Sequence, residues 1–207
     1  MDNNKMIQVL DWAYEKSLNG IPGTLSAEEL AQDYLDKNNG NLIKACDSLI
    51  NWQISKCATS GFLSGLGGII TLPVAIPANI SSVIYVQMRM IAAIAYMGGY
   101  DIKDDSVKSL VYMCLTGNAA ADIAKDIGIK LGTKLTESAI RKISSATITK
   151  INQAVGFRLI TKFGTKGVVN LGKAIPLVGG LVGGGIDSIS TKTIGNISKK
   201  MFISIEC

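Results

Sequence analysis

Apolar residues recur at helical spacing along most of this chain. Within residues 6–18 they fall at Ile7, Leu10, Tyr14 and Leu18, the rhythm of one face of an α-helix, and Asn19-Gly20 ahead of Pro22 ends the pattern. Ser26 followed three residues later by Glu29 predicts a capping box. The hydroxyl and the carboxylate there satisfy the free amides of a second helix that runs through Leu35. A third helix is expected from about Asn41, with Leu42, Cys46, Leu49, Ile50 and Ile54 on one face.

The pattern then changes. Between Lys56 and Asp101 the single charged residue is Arg89. Small residues open this stretch at Gly61, Ser64, Gly65, Gly67 and Gly68, with Gly61 and Gly65 in the GxxxG spacing that lets helix backbones approach closely. Beyond the breaks at Pro73 and Pro77, a helix is predicted over residues 78–97, stopping at Gly98-Gly99. It could just cross a bilayer core. However, Asn79, Ser82, Tyr85, Arg89 and Tyr96 lay a polar stripe along it, and an arginine at mid-bilayer costs a few kcal/mol even on lenient scales. The reading is therefore a central bundle helix.

Asp104-Asp105 caps the next helix, with Val107, Leu110, Val111 and Cys114 inward and Gly117-Asn118 interrupting it. Residues 118–135 read as an alanine-rich helix weakened by Gly128 and Gly132. From Thr136 a basic amphipathic helix is expected, its apolar face Ile140, Ile143, Thr147, Ile151 and Val155. Gly156, Gly164, Gly167 and Gly172 should divide the next stretch of chain into short pieces. Residues 174–186 form a second uncharged run, with Gly179 and Gly183 in GxxxG spacing. A reentrant hairpin and a tightly packed buried helix both satisfy it, and its shortness favours the buried helix. A last helix over about 187–203 closes the chain.

The expected fold is all-α: one compact multi-helix bundle with glycine-rich, closely packed central helices. In it, residues 1–41 are an acidic helical extension packed on a main domain of residues 42–207. Close-packing glycines are expected at Gly61, Gly65, Gly68, Gly179 and Gly183. At 47% apolar and 18% charged over 207 residues, the composition is more apolar than that of an ordinary soluble domain.

Charge is uneven. Residues 1–55 carry four lysines against eight acids, whereas residues 129–173 carry nine basic residues against Glu137 alone. Such a block contacts an anionic surface or forms a solvated face. The candidate membrane-surface contacts are Lys134, Arg141, Lys142, Lys150, Arg158, Lys162, Lys166 and Lys173. Only Phe157 and Phe163 interleave with them, too few aromatics for a nucleic-acid groove.

Histidine is absent, which removes the usual general base and the commonest metal ligand. Cys46, Cys57, Cys114 and Cys207 form no CxxC pair, and neither phosphate-binding glycine pattern occurs. No catalytic residue, metal or cofactor is expected. The opening Met-Asp-Asn-Asn-Lys lacks a secretory pattern, which with the cysteine usage suggests the cytoplasm. Arg89, flanked by so much uncharged chain, needs a counterion or water. Asp187, which directly follows the glycine-rich run, is its expected partner, with Asp122 the substitute.

One ordered set of positions carries a family resemblance. It comprises Gly61-Phe62-Leu63-Ser64-Gly65-Leu66-Gly67-Gly68, Leu72-Pro73, Pro77-Ala78, Gln87-Met88-Arg89-Met90-Ile91-Ala92-Ala93-Ile94-Ala95 and Gly99-Tyr100-Asp101. Further along come Asn152, Gly156-Phe157-Arg158-Leu159, Lys162-Phe163-Gly164, Lys173, Pro176-Leu177-Val178-Gly179-Gly180, Asp187, Gly195 and Phe202. On these residues the chain resembles the EcsC family of bacterial proteins over roughly residues 42–203, with the first forty residues outside the match.

That family takes its name from a gene beside an ABC transporter. Its members are regarded as membrane-associated, and no common catalytic activity or substrate is established. The resemblance implies a non-enzymatic peripheral membrane protein on the inner membrane face, with an ABC transporter or another membrane protein as partner. Two alternatives stand beside it: an effector that inserts the uncharged runs to form pores, and a soluble helical module that binds an apolar or lipid ligand.

Overall fold

A computed structural model describes residues 3–57, 78–131, 135–163 and 181–203, except for the side chains of 56, 57, 78–80, 162, 163 and 181–189. The described residues form nine α-helices and no strand. They are α1 (Asn3–Asn19), α2 (Ala27–Lys37), α3 (Leu42–Cys57), α4 (Ala78–Met97), α5 (Asp105–Leu115), α6 (Ala120–Asp126), α7 (Glu137–Arg141), α8 (Ser145–Phe163) and α9 (Leu181–Phe202), with a 3-10 turn at Gly117–Ala119.

The centre is α4, which packs against α1, α2, α3, α5 and α9. Every residue from 81 to 95 on it is buried, as expected for a helix that is apolar nearly all round. Ile84, Met88, Met90, Ile91 and Ile94 are enclosed completely or almost so. Burying each such side chain contributes about 1.5–3 kcal/mol relative to leaving it in water. The polar stripe on α4 fixes its neighbours. Gln87 donates to the Thr191 hydroxyl of α9 at 3.2 Å, and the Tyr85 hydroxyl meets that of Thr24, before α2, at 2.8 Å.

The acidic N-terminal helices belong to the same core. Met6, Val9, Leu10 and Ala13 of α1 have no exposed surface, and the Tyr14 hydroxyl reaches across to the carbonyl of Ile102 at 2.6 Å. Asp11 accepts from the Tyr112 hydroxyl at 2.9 Å and pairs with Lys108 at 2.6 Å, tying α1 to α5. The capping box of α2 forms as expected: Ser26 accepts from the Glu29 amide and Glu29 accepts from the Ser26 amide. That same amide contact holds the Glu29 carboxyl below its ordinary pKa. Asp104 caps α5 through the amides of Ser106 and Val107.

The structure corrects three expectations. The helix expected over 118–135 stops at Asp126, because Gly128 takes a left-handed φ of 77° and turns the chain away. The expected single basic helix is two, α7 and α8, separated at residues 142–144. Gly156 does not divide the chain, because α8 continues through it to Phe163.

What Gly156 does instead is admit a neighbour: a Cβ there would collide with the Asn3 side chain of α1. Close approach recurs at Gly195, where a Cβ would lie 2.6 Å from Ile50 Cγ1 of α3, and at Gly98, where it would strike the Phe202 carbonyl. Of the five glycines expected to pack closely, Gly61, Gly65, Gly68 and Gly179 lie outside the described residues. Gly183 lies on the α9 backbone. Among the described residues, close packing around glycine is seen at Gly98, Gly156 and Gly195.

Candidate functional site

Two regions carry the chemistry that the composition allows. The first is the outer side of α6, α7 and α8. Ile140, Ile151, Val155 and Leu159 are buried inward, and α8 packs on α1 and α5. This register turns Arg141, Lys142, Lys150 and Arg158 to solvent, along with Lys125 and Lys130. Phe157 stands among them with 68% of its surface exposed. The nearby acids engage weakly: Arg141 lies 3.9 Å from Glu137 and Arg158 lies 3.8 Å from Asp122, all four side chains at least half exposed. Exposed pairs of that length contribute little.

Beside this face lies an open groove of about 480 Å³, lined by Ile127, Ile129, Leu135, Ala139 and Ile143 and edged by Lys130 and Lys142. Of the remaining basic candidates, Lys134, Lys166 and Lys173 lie outside the described residues, as does the side chain of Lys162.

The second region surrounds Arg89. Its side chain, in a residue only 4% exposed, donates from Nη1 to the carbonyl of Leu25 at 3.0 Å and lies 5.4 Å from the centre of the Tyr85 ring. Nε is enclosed with no hydrogen-bond partner. Among the described residues no carboxylate comes within ion-pair distance of it. Burial pushes its pKa below the ordinary arginine value, against which the neighbouring Tyr85 and Tyr34 act.

Asp122 is not the substitute partner. It sits on α6, exposed and beside Arg158, because α6 packs chiefly on α5 and the 3-10 turn. The Asp187 side chain lies outside the described residues. Arg89 also forms part of a cavity of about 220 Å³, together with Thr24, Leu25, Leu30, Asp33, Tyr34, Lys37 and Trp52. The sequence singled out Arg89 but none of these lining residues. They come from three separate segments, and no periodicity marks such a convergence.

Fold and surface together describe a compact all-helical protein with a cationic flank and a buried arginine that pairs with no carboxylate among the described residues. The chain belongs to the EcsC protein family, whose model matches residues 6–203. The match therefore takes in α1 and α2, which the resemblance by residues left outside, in keeping with their place in the common core. No curated protein and no solved structure matches the chain.

Proposed function

We propose that this protein is a non-enzymatic peripheral membrane protein. Its α6–α8 flank rests on anionic lipid at the inner membrane face, beside a membrane partner such as an ABC transporter. The observation that carries this reading is Phe157. A phenylalanine 68% exposed, next to Arg158 on a helix that also bears Lys150, is costly in water and suited to the headgroup boundary. The lysine-edged apolar groove at Ile127, Leu135 and Ile143 offers the same kind of surface a second apolar patch.

The magnitudes favour reversible attachment. Each cation near an acidic leaflet is worth about 1 kcal/mol, so Arg141, Lys142, Lys150 and Arg158 supply about 4 kcal/mol before Glu137 and Asp122 offset part of it. Phe157 adds about 1–2 kcal/mol on insertion. Sums of this size correspond to binding from about millimolar to tens of micromolar that weakens as salt screens the charges. No described helix is long and apolar enough to cross a membrane.

Flotation with phosphatidylglycerol and phosphatidylcholine vesicles tests the proposal. The protein should float with the anionic vesicles, leave them in high salt, and lose binding in Phe157→Ser and in Lys142→Glu/Lys150→Glu. Equal flotation with neutral vesicles, or salt-resistant binding accompanied by dye release, would overturn it, the latter in favour of insertion.

A further inference from the structure

The Arg89 cavity has features that packing alone does not require. A guanidinium presents five N–H donors. Here one binds a backbone carbonyl and Nε meets nothing. Removing a charge from water is costly, and one carbonyl plus an aromatic face return only part of that cost. The rim does not neutralise the charge, since Asp33 is taken up by Lys37 at 2.7 Å. Among the described residues, the inner wall of the cavity thus carries one positive charge with no carboxylate in ion-pair contact and an unsatisfied Nε.

Much of the remaining lining is apolar. Leu30 and Tyr34 are buried, whereas Leu25 and Trp52 are 43% and 44% exposed, two of the six large apolar side chains open to solvent among the described residues. At about 30 Å³ per water the cavity has room for roughly seven waters' worth of ligand. That suits a headgroup and the first carbons of a chain, and any longer chain would leave past Leu25 and Trp52. Trp52 is joined to the arginine site only through the fold, since α2, α3 and α4 all pack on one another.

We propose that this cavity binds the anionic end of a small amphiphile, a carboxylate or phosphate carrying one apolar chain. Arg89 receives the oxyanion, and Leu25, Leu30, Tyr34 and Trp52 hold the apolar part. The site is separate from the α6–α8 flank, so it stands or falls independently of membrane attachment.

The test titrates the full chain with octyl phosphate below its micellar concentration, followed by calorimetry and by tryptophan fluorescence in a Trp12→Phe background, where Trp52 is the one remaining reporter. Saturable binding is expected, weakened about tenfold or more in Arg89→Met through loss of a charge-assisted contact. Trp52→Ala should also weaken binding, and Lys142→Glu/Lys150→Glu should leave it unchanged.

Inorganic phosphate, octanol and octyltrimethylammonium should each bind far more weakly. Should Arg89→Met fail to fold, Trp52→Ala and Leu25→Ser, both on the exposed rim, carry the same test. Undiminished binding in Arg89→Met, or in Trp52→Ala and Leu25→Ser, would overturn the proposal, as would no saturable binding of octyl phosphate. So would octanol or inorganic phosphate binding as tightly as octyl phosphate.

Discussion

Gly98 and Gly99 end α4 together, and the fold assigns them opposite weights from those a helix-capping rule would give. Gly99 has φ 83° and nothing within 4 Å of a would-be Cβ, so Gly99→Ala suffers only from the left-handed backbone, about 1–2 kcal/mol. Gly98 has no such φ. A Cβ there would run into the Phe202 carbonyl oxygen, well inside the 3.0 Å that real Cβ atoms respect, and would lie 3.1 Å from the Tyr100 ring.

Backbone cannot rotate aside, so the end of α9 must move. Phe202 is fully buried and meets Tyr100 edge-on at 5.3 Å, a contact worth about 0.5–1.5 kcal/mol. With about 1–3 kcal/mol for overpacking, Gly98→Ala should cost about 2–4 kcal/mol. In a chain of this size that lowers Tm by about 4–16 °C. Urea unfolding followed by far-ultraviolet circular dichroism measures both variants, with Ala146→Ser on an exposed face as a control. If Gly99→Ala proves the more damaging of the pair, the reasoning from close approach fails.

Gly195→Ala should destabilise by about 1–2 kcal/mol through its clash with Ile50. Adding Ile50→Val should cost less than the two changes summed, and simple additivity in the double-mutant cycle would refute the contact. Burial pushes the thiols of Cys46 and Cys114 up to about 12. Native protein at about pH 8 should therefore leave both unmodified by iodoacetamide, whereas rapid labelling of either in a peptide map would contradict their burial. Burial also raises Tyr34 and Tyr100 to about 12 and Tyr14 and Tyr112 further. The fold keeps these groups neutral, so their stabilisation is complete at neutral pH. It should fall as pH rises past the ordinary thiol and then the ordinary tyrosine values. A urea midpoint unchanged between about pH 8 and pH 11 would refute this.

The basic flank and the arginine cavity bear differently on function because they differ in what covers them. On α8 the cations are open to any anionic surface, and the inward run Ile151, Val155 and Leu159 fixes which side they occupy. Arg89, in contrast, is buried in a cavity that Trp52 also lines, which gives the two regions separable assays.

Local rules were enough to read much of this protein from its sequence. The capping residues Ser26, Glu29 and Asp104, the limits of α4 at residues 78 and 97, and the all-helical class come from spacing and turn chemistry within a few residues, where the physics is short-range. The central place of α4 was also legible, since a helix with so little charge and a polar stripe needs neighbours on every side.

Tertiary structure alone decided three matters. One was that α1 and α2 share the core of α4, a matter of shape complementarity between segments distant in sequence. Another was which glycines matter, because Gly98, Gly156 and Gly195 are set by what lies opposite them, and nothing in their own neighbourhood reports it. The last was the surroundings of Arg89. Sequence could only rank the available carboxylates, whereas the fold turned the guanidinium toward the Leu25 carbonyl and the Tyr85 ring and took Asp122 elsewhere, because a side chain several bonds long meets whichever surface the packed helices bring within its reach.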